Sequence, residues 1–323
     1  MKIEKNVLIM SSFPNKITKL FDETFNTFKS YEQENVEKFI ESLSDKIEAI
    51  AVMGGTTVSS ELIKKLPKLK IIANYGVGYD AVDVKQATLS NVKVTNTPDV
   101  LNDEVADTAI ALTLCVYKNI ALANQFLLEK KWLKSEYPLS KKFSGTKFGI
   151  LGMGRIGKTI AKRIESFNCE ICYHSRNQKD VKYKYFSKLE DLAEYVDTLC
   201  VITPGGEETK HLVNANVLQK LGKNGFLINI ARGTVIDQKA LIYALQNNII
   251  RGAGLDVFEN EPNVPDDLIN LNNVILTPHI GSATVETRYD MGKLVYDNIV
   301  QMLTTNTTTV SYTHLRAHET SSN

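Results

Sequence analysis

Apolar runs of strand length punctuate this chain at 6–10, 49–53, 69–74, 92–95, 147–152, 170–174, 198–203, 226–231, 252–257 and 273–277. Amphipathic or capped stretches of helical period separate most of them. Short continuous apolar runs mark strands buried on both faces, and their alternation with helices predicts parallel sheets covered by helices. The runs fall into two blocks, one ending near residue 98 and one from about 145 to 280. The pattern therefore reads as an α/β protein with two Rossmann-like or flavodoxin-like domains.

Between the blocks, 102–119 reads as one long helix. Asn102 is a capping residue type, and Asp103 and Glu104 complement the positive end of a helix. Ala106, Thr108, Ala109, Ala111 and Thr113 are small. They permit close packing against another helix, either of this chain or of a second copy. Residues 129–146 carry Lys130, Lys131, Lys134, Lys141, Lys142 and the only tryptophan, Trp132, and read as a solvated loop. A last helix is expected over about 284–303. The tail 311–323 is unlike the rest and reads as non-native. His314 and His318 within it have the spacing of a helical metal pair, but no third ligand supports them.

Composition narrows the classes. The 323 residues suffice for two domains of ordinary size, and 43% hydrophobic with 23% charged residues is the balance of a soluble globular chain. A net charge of +1 gives no reason to expect nucleic acid or an anionic membrane as partner. No apolar run approaches the roughly 18 residues of a membrane helix, and no signal sequence is evident, so a cytoplasmic location is expected. Cys169 and Cys172 form a C-x-x-C in a strand-like run, without a second pair to complete a zinc site. They read as buried structural thiols, and no metal is expected.

The segment 148–157 reads FGILGMGRIG: an apolar strand, then G-x-G-x-x-G, then an amphipathic helix. Gly152 serves the tight turn, Gly154 the close approach of a pyrophosphate, and Gly157 the packing of helix on strand. Arg155 and Ile156 open the helix, whose free N–H groups and dipole favour phosphate. In this context the motif predicts dinucleotide binding. An NAD-selective site places a carboxylate at the end of the next strand, to hold the ribose 2′-hydroxyl. Here that place reads Tyr173-His174-Ser175-Arg176-Asn177. Ser175 can donate to a 2′-phosphate and Arg176 can pair with one, so NADPH is preferred and NADH remains possible.

Three further strand-like runs end in charged or polar residues: Asn229-Ile230-Ala231-Arg232-Gly233, Asp256 through Glu261-Pro262, and Thr277-Pro278-His279-Ile280-Gly281. The carboxyl ends of parallel strands are where such sheets bind ligands. A planar guanidinium at Arg232 suits a carboxylate. Imidazole at His279 suits a general acid working near neutrality. In the first block, backbone N–H groups of Gly76, Val77 and Gly78 are suited to a carboxylate. Tyr75 beside them either narrows the pocket or only packs.

Taken in order, Asn74-Tyr-Gly-Val-Gly-Tyr-Asp80, the G-x-G-x-x-G, N-x-A-R-G, D-V-x-x-x-E-P and T-P-H-I-G resemble the D-isomer-specific 2-hydroxyacid dehydrogenase family over 45–303. The resemblance implies a discontinuous substrate domain, 1–99 plus 283–310, a dinucleotide-binding domain, 100–282, an active cleft between them, and a homodimer. It pairs Glu261 with His279, places Asp256 on the nicotinamide carboxamide, and puts Thr203, Pro204, Thr209, Ile230 and Ala231 against the cofactor. The implied reaction is reduction of a small 2-oxo acid, glyoxylate or hydroxypyruvate. Two other functions occur within this superfamily: a dinucleotide-sensing corepressor and a formate or phosphite dehydrogenase. Glu261 argues against the formate branch, which generally places glutamine there.

Overall fold

The computed structural model describes residues 2–308, so the tail with His314 and His318 lies outside the described residues. The chain divides into two compact units. The first runs to Leu101 and resumes at Thr284, and the second spans Asn102–Ala283.

The first unit holds β1 (Asn6–Ile9), β2 (Asn26–Lys29), β3 (Ala49–Met53), β4 (Ile71–Tyr75) and β5 (Lys93–Thr95). They pair in parallel in the order β2-β1-β3-β4-β5, the flavodoxin-like arrangement. The central strands are apolar on both faces because both are covered. Val7, Leu8, Ile50, Val52, Ile71 and Ile72 are fully buried. Helix Val285–Thr305 packs on β3 and β4, burying Met291, Val295 and Ile299. Its Gly292 sits against Ile17, where a Cβ would lie 2.6 Å from Ile17 Cγ1.

The second unit holds β6 (Lys147–Leu151), β7 (Glu170–His174), β8 (Lys184–Tyr185), β9 (Thr198–Val201), β10 (Phe226–Asn229), β11 (Gly252–Leu255) and β12 (Val274–Leu276). Their order is β12-β11-β10-β9-β6-β7-β8, with every pairing parallel. This is the doubly wound dinucleotide-binding order with one strand added. The strand order reverses between β6 and β9, and in such sheets ligands bind beyond the carboxyl ends of the strands at that point.

Two strands are absent from the hydrophobic pattern, β2 and β8. Both are edges. β2 reads Asn-Thr-Phe-Lys with no fully buried residue, and β8 is two residues long. Edge strands are covered on fewer sides and need no apolar run. The long helix also differs from expectation. It spans Asn102–Lys118, breaks at Asn119 (φ 53°), and is followed by helix Ile120–Leu128 bent by 58°. No single helix among the described residues is long and apolar enough to cross a membrane. The small residues Ala106, Ala109 and Thr113 are buried, and the helix packs against helix Arg155–Ile164 of this same chain. Arg163 pins that contact by pairing with Asp103 at 2.8 Å and with Asp107. Lys141 is not simply solvated: its Nζ donates to the Asn224 carbonyl at 2.9 Å.

Helix Arg155–Ile164 is positioned by its sequence. Gly157, Ile160, Ala161 and Ile164 recur at helical spacing and are buried. Each isoleucine contributes about 1.5–3 kcal/mol by burial. At the entry turn Gly152 has φ +110°. Gly157 lies so close to Gly152 that a Cβ would collide with the Gly152 carbonyl oxygen. Gly157→Ala is therefore expected to destabilise the protein by about 1–3 kcal/mol or more, the cost of overpacking against an immovable backbone. Chemical denaturation checks this, and an unchanged midpoint refutes the close-packing account.

Candidate active site

Three turns at the carboxyl ends of β10, β11 and β12 meet in the second unit. The first is built by Asn229, which is 1% exposed. Its Oδ1 accepts from Ala231 N at 3.0 Å and its Nδ2 donates to the Arg232 carbonyl at 3.1 Å. The asparagine thus closes the turn that presents Arg232. The guanidinium is half-buried and donates through Nη1 to the Ala231 carbonyl at 2.8 Å.

The second turn follows β11. The Asp256 carboxylate is buried and accepts from Thr277 Oγ1 at 2.6 Å, Ile280 N at 2.7 Å and Gly281 N at 2.8 Å. The Asp256 carbonyl also accepts from His279 N at 2.9 Å. A buried carboxylate needs such partners, and here they fix the third turn, Thr277–Gly281. His279 takes a left-handed backbone at its centre, φ 52°.

Glu261 and His279 meet: Glu261 Oε2 lies 2.7 Å from His279 Nδ1. The other oxygen, Oε1, accepts from Phe258 N at 3.0 Å. Partial burial acts to raise the Glu261 pKa. It is outweighed by the His279 hydrogen bond and charge, the Phe258 N–H and the nearby Arg232 charge, and the carboxyl is held below the ordinary glutamate range. Ionised, the carboxylate only accepts, so His279 Nδ1 carries the hydrogen and Nε2 is the nitrogen left to face a ligand. The pair is partly open to solvent, with side chains 45% and 34% exposed. The three residues Arg232, Glu261 and His279 are therefore brought together, with a guanidinium, a fixed imidazole and its carboxylate on one rim.

On the same rim lies the phosphate turn. Space around Gly154 is open, with no heavy atom within 4 Å of where a Cβ would stand, whereas at Gly152 a Cβ would lie 2.8 Å from the Ile202 carbonyl oxygen. An open glycine before a helix N-terminus is the cradle that a pyrophosphate fits. Arg155 and Ile156 begin that helix. Thr203 and Pro204 follow β9 over this turn, and Thr209 Oγ1 donates to the Pro204 carbonyl at 2.7 Å. Ile230 and Ala231, just past β10, are 6% and 5% exposed, and Ile230 N donates to the Val201 carbonyl at the end of β9.

At the end of β7, Ser175 Oγ donates to the Asn177 carbonyl at 2.7 Å, and the exposed Arg176 meets Glu208 at 3.3 Å. No carboxylate occupies the strand end itself: Glu170 starts the strand, where Tyr195 donates to it at 2.8 Å. Cys172 and Cys200 are buried, and burial pushes their thiols up to about 11 and about 12, so both are uncharged core groups. Cys169 precedes the strand and is half-buried. Among the described residues no group of His, Cys, Asp or Glu is placed to hold a metal ion.

In the first unit the turn after β4 is held by side chains that periodicity does not reveal. Asn74 Nδ2 donates to the Gly78 carbonyl at 2.9 Å and to that of Gly76 at 3.3 Å, and Asn96 Nδ2 donates to the Val77 carbonyl at 3.0 Å. Gly76 N is itself spent on Thr97 Oγ1 at 3.0 Å. That corrects the expectation of three free amides and leaves those of Val77 and Gly78. Tyr75 is 3% exposed, packs edge-on to Phe13, and donates its hydroxyl to the Arg288 carbonyl at 2.8 Å. Of the two roles open to it, packing is the one observed. The available signal for Asn74 was a lone amide inside the otherwise apolar run of β4.

Residues 110–281 match the family described as D-isomer specific 2-hydroxyacid dehydrogenase, NAD binding domain. A glyoxylate/hydroxypyruvate reductase A of Arabidopsis thaliana is 41% identical, over 91% of this chain and 94% of its own length. A hydroxyphenylpyruvate reductase of Plectranthus scutellarioides is equally similar, 41% over the same shares. Among solved structures, an NADPH-dependent glyoxylate/hydroxypyruvate reductase of Sinorhizobium meliloti in complex with NADP and malonate superposes with a TM-score of 0.89. It is 40% identical over 96% of this chain and 97% of that one.

Glu261 gives the fold a pH dependence of definite sign. With the folded pKa depressed, the pair stabilises the fold above the ordinary glutamate range of about 4.3, and that contribution is lost as pH falls through the lowered folded value. The carboxyl carbon of Glu261, followed by NMR, should titrate below an ordinary glutamate and should move upward in His279→Leu. A midpoint indifferent to that substitution refutes the coupling.

Proposed function

This chain belongs to the D-isomer specific 2-hydroxyacid dehydrogenase family, and on that footing we propose that it is an NADPH-preferring reductase of glyoxylate or hydroxypyruvate. The observation that carries this reading is the Glu261–His279 pair beside Arg232 on the rim that also bears the glycine cradle. The nucleotide, held at Gly152–Gly157, supplies the hydride when bound.

The chain's own residues supply the rest. Arg232 binds the substrate carboxylate and polarises the carbonyl oxygen through its planar fork. His279 Nε2 gives its proton to that oxygen, so that it leaves as a hydroxyl. Glu261 keeps the ring oriented through Nδ1. In the first unit, the Val77 and Gly78 amides are suited to an anion such as a carboxylate. Asp256, with three hydrogen bonds already accepted, keeps at most one lone pair for a cofactor amide. Arg176, exposed and paired at the surface with Glu208, supports binding of a 2′-phosphate in exchange for that partner.

A homodimer is supported by exposed apolar side chains concentrated on one segment: Ile120, Leu127, Leu128, Trp132, Leu133 and Leu139. A cytoplasmic location is supported by Cys115, Cys169, Cys172 and Cys200 standing as free thiols.

The function is tested by steady-state turnover of glyoxylate, hydroxypyruvate and hydroxyphenylpyruvate with each nucleotide. Expected are a higher kcat/KM with NADPH than with NADH and a fall of about 10²–10⁴ in kcat for His279→Gln. Failure to reduce any 2-oxo acid overturns the reading. Sedimentation equilibrium tests the assembly: the wild type should show twice the chain mass, and Leu128→Glu with Trp132→Glu should show the chain mass. A monomeric wild type overturns that part.

A further inference from the structure

Among the described residues, two histidines pair with carboxylates, and the mechanism above uses one of these pairs. The second is His211 with Glu259, whose Nε2 and Oε1 lie 2.7 Å apart. Glu259 and Glu261 are two residues apart on one loop, so a single stretch of backbone presents a carboxylate to each histidine. Both histidines also have left-handed backbones, φ 51° at His211 and 52° at His279. For a residue other than glycine that conformation is uncommon and persists where the surroundings over-determine it.

The surroundings of His211 are well defined. Its N–H donates to the Thr234 carbonyl at 2.9 Å, and two residues on, Val213 bridges Ile236 in parallel. The segment carrying His211 is thus tied to the turn that follows Arg232. On the other side of that turn, Gly233 lies flat against the backbone of Phe258 and Glu259, so close that a Cβ would collide with the Phe258 carbonyl. Glu259 N donates to Gln238 Oε1 at 3.3 Å. The loop Phe258–Glu261 therefore rests on Gly233 and is gripped at Glu259 by His211 and Gln238. It then reaches Glu261, where the carboxylate closes on Phe258 N and on His279 Nδ1.

We infer that His211 is a positioning residue for this reaction: through Glu259 it sets the loop so that Glu261 can hold the His279 ring. In this role it acts through Glu259 rather than on the reacting atoms. It sits two residues beyond Thr209, so the short segment after β9 that carries Thr203, Pro204 and Thr209 also braces the carboxylate partner of the general acid. The inference rests on the reductase reading for its catalytic consequence, and on geometry alone for its structural one.

The bland alternative is a half-exposed ion pair that stabilises the loop slightly and does nothing for the chemistry, as most such pairs do. In purified full-length protein, His211→Leu should lower kcat by about tenfold or more, as expected when a catalytic group is misplaced, with KM for NADPH within twofold and little change in thermal midpoint. His211→Gln, which keeps a donor toward Glu259, should recover most of the loss. In His211→Leu the Glu261 carboxyl titration should move upward, because its hold on His279 loosens. A kcat within twofold of wild type, or a loss that only tracks the fraction unfolded, overturns the inference. If the wild type reduces no 2-oxo acid, the reductase reading fails instead. The Glu261 titration then still decides: a midpoint unchanged by His211→Leu overturns the positioning role, and a raised one supports it.

Discussion

The Asp256 carboxylate takes hydrogen bonds from Thr277, Ile280 and Gly281 in a place where solvent does not reach, and the His279 side of the site is arranged around that demand. An ionised carboxylate left unpaired at 1% exposure would cost several kcal/mol. Satisfying it requires the chain after β12 to fold back over β11, which puts His279 in a left-handed turn and aims Nδ1 at the Glu261 loop. Asn229 does the same service for Arg232, on a smaller scale and without charge. The site is thus made of turns whose shape is decided by buried polar groups, while the groups suited to chemistry stand on the rim.

What the sequence made legible follows the same division. Strands buried on both faces announce themselves as apolar runs, so β1, β3 to β7 and β9 to β12 were readable, and β2 and β8, at the edges, were not. Arg232, Glu261 and His279 were readable as polar residues at strand ends. Their mutual geometry was not, because contacts between turns 18 or more residues apart leave no period in the sequence. Tyr75 shows the limit. Proximity to the glycine turn made it a candidate for the pocket, and only its hydroxyl on the Arg288 carbonyl shows that it belongs to the core. Thr97 and Asn96 spend their polar groups on the same turn from β5's far end, a relation that no local pattern carries. His211 likewise reads as an ordinary loop histidine until Glu259 is found beside it.

Cofactor preference is written differently from the rest of the site. The residues proposed to set it are not buried ones. Arg176 and Ser175 lie at an open strand end, and the Glu208 contact is one that solvent and salt screen readily. Selectivity of this kind depends on which charges are absent from the end of β7 as much as on which are present. It can change by surface substitution without disturbing the turns that hold Arg232 and His279.

The helix Val285–Thr305 has a consequence for the order in which this molecule can be made. It covers β3 and β4 and supplies the carbonyl that Tyr75 needs, yet it is encoded after the whole of the second unit. During synthesis the first strands emerge early but cannot close their core until some two hundred further residues have left the ribosome. By then the second unit, continuous in sequence, is already free to fold. The first unit to be translated is therefore the last to be finished, and its apolar sheet face is the surface a nascent chain must shield longest.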